Sequence, residues 1–272
     1  MIPAPFRYQR AGSVDEAIEL AVSGGEDAKF LAGGHSLLPL MKLRLAVPEI
    51  LIDIGRLGEL SYIRDHGSHV AVGALTSHDQ VARSALLAQQ VPLLAHAAGQ
   101  VGDPQVRHRG TIGGSLAHAD PAADLPAVML AVDAILVTRG PSGGREIPAA
   151  AFFRDLFETA LRPGELLAEI RIPKPQASGW SFQKFTKRAI DWAIVGVAVQ
   201  GDSVALVNMG PTPLRARAVE RALASGSQPR QAAAYAAEES SPPDDLNGGR
   251  GYREHLARVL VARALEESRS RS

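Results

Sequence analysis

Residues Leu31 to Leu37 read LAGGHSL. An apolar run ends on two glycines, and a histidine and a serine follow. Adjacent glycines let successive backbone N–H groups turn toward one point, and they remove the Cβ atoms that would block a ligand. That is the design of an anion cradle, but the string fits no common nucleotide fingerprint. A Walker loop needs G-x-x-x-x-G-K-[ST], which is absent. A Rossmann turn needs G-x-G-x-x-G, and a serine-hydrolase elbow needs G-x-S-x-G. Neither is supplied here.

A second string of the same design, TIGGS, occupies Thr111 to Ser115. Ser36, Thr111 and Ser115 add hydroxyl groups. Two such cradles can neutralise a diphosphate without a lysine, and a dinucleotide cofactor carries a diphosphate at its centre. Ordinary tight turns are the other reading that these residues leave open.

Composition narrows the chemistry. The chain has 272 residues, a formal net charge of zero, 46% hydrophobic and 21% charged residues. This suits a globular protein of one large or two to three smaller domains. A neutral chain offers no general attraction to nucleic acid or anionic membranes. It contains no cysteine, which excludes disulfides, thiolate zinc sites, a catalytic thiol and any cysteine-held iron–sulfur cluster. Redox chemistry would need an organic cofactor or a second chain. The start of the sequence has no apolar signal region. The apolar run Leu125–Val137 is broken by Asp133 and is shorter than the roughly 20 residues a span needs. The expectation is a cytoplasmic protein with no transmembrane segment.

Ser13 and Glu16 predict a capped helix, ended by Gly24 and Gly25. Strands are expected at KFLA, ILIDI (Ile50–Ile54), YIRD, HVAVGA, AILVTR and ELLAEIRIP. Thr76 with Asp79 predicts a cap for a helix through Leu87, and Pro92 opens another. The segment Gly102–Asp124 reads as polar and glycine-containing. Pro173–Gly179 reads as a linker. Beyond it come strands in WSFQKFTKRAIDWAIVGVAV and SVALVNMG, then helices in RAVERALASG and YREHLARVLVARALEES. The tail SRSRS is expected to be disordered.

The long strings around the glycine pairs carry a resemblance. KFLAGGHSLLPLMKLRLAVPEILIDI (29–54) and RHRGTIGGSLAHADPAADLPAVMLAVDA (107–134) resemble the FAD-binding medium subunits of molybdenum hydroxylases, of the carbon monoxide dehydrogenase and, more distantly, xanthine dehydrogenase type. FQKFTKRAIDWAIVGVAV, GPTPLRARAVERAL and YREHLARVLVARAL resemble the C-terminal domain of that family. The implied fold is α+β. A two-part FAD-binding domain of PCMH type covers 1–55 and 56–175, and a smaller C-terminal α+β domain of the carbon monoxide dehydrogenase flavoprotein type covers 176–272.

The resemblance implies non-covalent FAD. Ala32, Gly33, Gly34, His35 and Ser36, with Leu37 behind them, would wrap the diphosphate. Thr111, Ile112, Gly113, Gly114 and Ser115 would add diphosphate and ribityl contacts. Asp124 matches the family's aspartate and Leu166 a family leucine. Lys184 or Lys187 would meet the flavin, as would Trp192, where the family often has tyrosine. The residues alone leave Trp192 open as a core residue of a strand and the lysines as a solvated strand face. The molybdenum cofactor is implied on a large partner subunit and [2Fe–2S] clusters on a small one, in a dimer of heterotrimers. This chain would pass electrons from the clusters to an external acceptor and hold no general base. The other readings are a self-sufficient flavin oxidase or dehydrogenase, and an assembly subunit whose flavin site has decayed. His35 invites comparison with oxidases that attach FAD covalently in R-[ST]-G-G-H, but here the arginine and hydroxyl positions are Leu31 and Ala32. His118, Asp120 and Asp124 lie close together without a common metal-ligand spacing, so loop hydrogen bonding is expected of them.

Overall fold

The computed structural model describes residues 2–176 and 179–271. Ala177 and Ser178 of the expected linker, together with Met1 and Ser272, lie outside the described residues. The molecule is built on three main sheets, and a small two-stranded one accompanies them.

The first sheet is parallel, with Ile50–Asp53 between Arg7–Arg10 and Ala28–Leu31. Its central strand opens on the buried apolar run Ile50–Ile52, as suits a strand covered on both sides, and ends on the half-buried Asp53. The helix Val14–Gly24 lays Val14, Ala17, Ile18 and Ala21 on Ile50, Ile52 and Ile54. Ser13 caps it by accepting from Glu16 N. The return bond goes from Gly12 N to the Glu16 carboxylate, one residue before the expected position. Gly25 then takes φ +60° and ends the helix.

The second sheet is antiparallel. Its strands run Ile63–Asp65, His69–Gly73, Leu166–Pro173, Ile135–Gly140 and Gly143–Pro148 in spatial order. The helices Pro92–Gly99 and Asp124–Ala131 cover one face, and every residue of the latter is buried. Leu166 and Ala168 project the other way and join the first sheet's core, with Leu57 and Leu60. One strand therefore ties the two pieces together. The hairpin strand Gly143–Pro148 has no apolar signature in GGREIP and was not expected.

The third sheet is an antiparallel meander of Trp180–Phe185, Val195–Gln200, Ser203–Val207 and Leu214–Arg215. Strand alternation sends Phe182, Ala198, Ala205 and Val207 into the central core. It sends Val195, Val197, Val199, Val204 and Leu206 toward the helices Arg217–Ala224 and Arg250–Ser270.

Three expectations are corrected. The cap is Ser77 with Gln80, a complete capping box; the Thr76 hydroxyl instead donates to Tyr62 O and accepts from Tyr62 N. The helix expected to reach Leu87 breaks at Ser84, which ends one helix and caps the next, Ala85–Gln90. The tail is helical through Ser270, because Arg271 lies 3.9 Å over the Trp180 ring and Ser268 is buried.

Candidate functional site

A cleft of about 970 Å³ opens where the three sheets meet. The first glycine loop forms one wall, between the strand Ala28–Leu31 and the short helix Leu37–Lys42. Among the described residues, the backbone N–H groups of Gly33, Gly34, His35 and Ser36 have no hydrogen-bond partner. All four residues line the cleft, with Ala32 and Leu37. Gly34 sits at φ +76°, the left-handed region that a side chain rarely tolerates. Four successive unpaired donors on a concave wall make an anion cradle. The His35 side chain is exposed and makes no hydrogen bond.

The second glycine string is different in kind. Thr111 caps the helix Ile112–His118 by accepting from Gly114 N, and Gly113 and Gly114 lie in its first turn. Ile112 N and Gly113 N are spent on Thr76 O and Ala74 O, and Ser115 N on Thr111 O. The expected second cradle is thus a helix start, which offers the Ser115 hydroxyl and the open face of Gly114. Ile112 is fully buried and does not line the cleft, whereas Thr111, Gly113, Gly114 and Ser115 do.

The glycines mainly bring chain against chain. A Cβ on Gly33 would lie 2.1 Å from Arg109 O and 2.9 Å from Gly110 Cα. A Cβ on Gly113 would lie 2.5 Å from Ala74 Cβ. Gly33 therefore locks the first loop onto the segment that leads into the second. This replaces the expectation that its missing side chain leaves room for a ligand.

Deeper in the cleft, Lys184 Nζ meets Asp124 Oδ2 at 2.7 Å and Gln100 O at 3.1 Å, and the Lys184 and Asp124 side chains are each only 5% exposed. Burial pushes Asp124 up to about 6, and the Lys184 ammonium pulls against it. Desolvation outweighs the ion pair. Asp124 Oδ1 is buried without a partner among the described residues. An orphaned carboxylate oxygen at a cleft wall is positioned to accept from a ligand hydroxyl or N–H.

Lys184 is the lysine that lines the cleft, whereas Lys187 is exposed and outside it. Leu166 is buried and lines it. Trp192 is in the turn between Phe185 and Val195, not in a strand, and is 58% exposed at the cleft with Ile190 and Asp191. Its exposure excludes the core-residue reading. The loop Leu161–Glu165 forms another wall, anchored by Arg145 Nε to Glu165 Oε1 at 2.7 Å. That pair carried no sequence signal, and neither did the cleft position of His78. His118 packs on Phe157, Asp120 accepts from Ala122 N, and Asp124 pairs with Lys184, so the three share no centre.

Residues 4–175 match the FAD binding domain in molybdopterin dehydrogenase, and residues 180–268 match the CO dehydrogenase flavoprotein C-terminal domain. The carbon monoxide dehydrogenase medium chain of Hydrogenophaga pseudoflava is 43% identical over 285 residues, covering 100% of this chain and 99% of that one. The 6-hydroxypseudooxynicotine dehydrogenase complex subunit alpha of Paenarthrobacter nicotinovorans is 38% identical, covering 100% and 97%. Among solved structures, the cyanide-inactivated Cu,Mo-CO dehydrogenase superposes with a TM-score of 0.95 at 37% identity, over 100% of both chains. Quinoline 2-oxidoreductase from Pseudomonas putida 86 gives 0.92 at 31% identity, over 99% of both. On sequence, fold and cleft together, the chain belongs to the FAD-binding medium subunits of the molybdenum hydroxylases, of the carbon monoxide dehydrogenase flavoprotein type.

Proposed function

We propose that this chain is the electron-transferring FAD subunit of a heteromeric molybdenum hydroxylase in the cytoplasm. Its partners would be a large subunit with the molybdenum cofactor and a small subunit with [2Fe–2S] clusters, arranged as a dimer of heterotrimers. The observation that carries the site assignment is the run of four unpaired N–H groups from Gly33 to Ser36 along the cleft. The residues fit FAD. The cradle matches an anionic diphosphate, orphaned Asp124 Oδ1 matches a hydroxyl or ring N–H, and the exposed Trp192 ring offers a flat face.

Bound FAD supplies the exchange of electrons between the cluster route and an external acceptor. The protein's own residues do the holding. Ala32 to Ser36, backed by Leu37, grip the diphosphate. Ser115 and the open face of Gly114, on the helix capped by Thr111, add polar contacts. Lys184 holds a positive charge beside the buried Asp124, and together they orient polar groups away from water. Leu166 packs the apolar floor. With no cysteine, the chain cannot ligate the clusters itself.

The test is the composition of the native complex: molybdenum, iron and FAD should co-purify with this chain. A purified chain that is reduced by a small organic substrate without partners would favour a self-sufficient enzyme instead. Acid precipitation of the FAD-loaded chain should leave a colourless pellet and a yellow supernatant. A yellow pellet would show covalent attachment at His35 or elsewhere. Trp192→Ala should retain FAD but change its visible absorption, because stacking on an aromatic face contributes about 0.5–1.5 kcal/mol beyond burial. An unchanged spectrum would place Trp192 away from the ring.

A further inference from the structure

His78 has no role in the residue set above, yet it lines the cleft and is only 4% exposed. It opens the helix His78–Arg83, and its backbone N donates to Gly110 O at 2.9 Å. Its ring lies against Gly110, where a Cβ would stand 2.8 Å from His78 Cδ2 and 3.1 Å from Nε2. Gly110 in turn lies under Gly33 of the cradle, where a Cβ would stand 2.9 Å from Gly110 Cα. Cradle, Gly110 and imidazole are thus in contact in series. His78 Nδ1 is buried and has no partner among the described residues.

We propose that His78 is a further FAD-binding residue, donating a hydrogen bond from Nε2 to an oxygen of the cofactor beside the first loop. The proposal rests on the FAD reading of the cleft. A buried N–H without a partner is rarer and costlier than an unpaired acceptor. Nδ1 is therefore assigned the lone pair and Nε2 the proton; Nε2 lies on the ring edge beside Gly110 and, unlike Nδ1, is not among the fully buried unpaired atoms. The ring is neutral near pH 7, because burial, with His35 and Arg107 adding to it, lowers its pKa to about 4. The titratable and charged groups that act on it are His35 from the first loop and Arg107 from the helix Pro104–Arg109, and Asp79 follows it on its own helix. Asp79 is already engaged by Arg83 and His108.

The experiment is a fluorescence titration of the FAD-stripped full-length chain with FAD from pH 5.5 to 8.5. His78→Leu and His78→Phe remove the donor, and His78→Gln keeps one. A lost neutral hydrogen bond should weaken FAD binding roughly tenfold in both non-donor variants. The ratio to wild type should be flat across pH, because the His78 ring stays neutral over this range. His78→Gln should recover most of the affinity. Wild-type affinity in both non-donor variants overturns the proposal, as does a loss in His78→Gln equal to theirs, which would mark packing alone. A ratio that grows as pH falls overturns the neutral-donor role in favour of a cation. If the wild-type chain itself fails to take up FAD, the cleft assignment falls rather than His78 alone.

Discussion

Gly33→Ala is expected to lose FAD binding by at least about a hundredfold, almost as completely as Gly33→Val. The obstruction arises at the first side-chain carbon. A Cβ there stands 2.1 Å from Arg109 O and 2.8 Å from Arg109 C, with Gly110 Cα at 2.9 Å. All three are backbone atoms, so no rotamer change relieves the clash. The loop must lift off the Arg109–Gly110 segment, and the four cradle N–H groups move with it. Overpacking a tight site costs about 1–3 kcal/mol in stability. The larger effect falls on binding, because displacement by about an ångström removes several charge-assisted hydrogen bonds at once. If the glycine merely left room for the diphosphate, Ala would be tolerated much better than Val. Equilibrium titration of the stripped chain with FAD separates these cases. A tenfold or larger gap between the Ala and Val variants would show that the ligand, and not Arg109, fills the space beside Gly33. Gly114→Ala is the contrasting substitution: its Cβ meets only Thr111 Oγ1, at 2.8 Å, so it should disturb the cap and bind FAD more weakly, without abolishing uptake.

The contrast also shows what the sequence could and could not convey. The residues of the first loop left both an anion cradle and an ordinary tight turn open, and the resemblance decided between them; the helix from Ser13 follows from its cap and periodicity, and the strand at Ile50 from its apolar, β-branched run. The difference between the two glycine strings was hidden. Whether an N–H is free depends on whether Thr76 O and Ala74 O stand opposite it, which is a tertiary fact. Lys184 and Lys187 are three apart near a strand end, and only the turn after Phe185 carries one of them out of the cleft. His78 follows Ser77 in an ordinary capping box, and nothing local marks its ring as a cleft wall. Resemblance named most of the site residues, while the geometry separated those that line the cleft from Ile112 and Lys187, which do not.

Lys184→Met should be the most damaging single change to the FAD-free fold at the cleft. It removes the partner of a carboxylate that is itself only 5% exposed. Breaking a buried ion pair from one side costs about 3–5 kcal/mol, a drop in Tm on the order of 10 °C for a chain of this size. The penalty should depend on pH with a definite sign. Asp124 is raised from 3.8 to about 6 in the folded wild-type chain, by burial first. Between those values the folded chain binds more protons than the unfolded one, so the Asp124 contribution lowers stability as pH rises and is level above about 6. Without the ammonium, the folded pKa of Asp124 moves higher still. The window then extends toward neutral pH, and Lys184→Met should be closer to wild type at pH 6 than at pH 8. Asp124→Asn combined with Lys184→Met removes the charge altogether and should recover much of the loss at pH 8, a coupling that only a double-variant cycle measures. Thermal melts of the four FAD-free chains at pH 6 and 8 decide it. A loss that is the same at both pH values, or strictly additive in the double variant, would mean that Lys184 acts by packing its stem and not by neutralising Asp124.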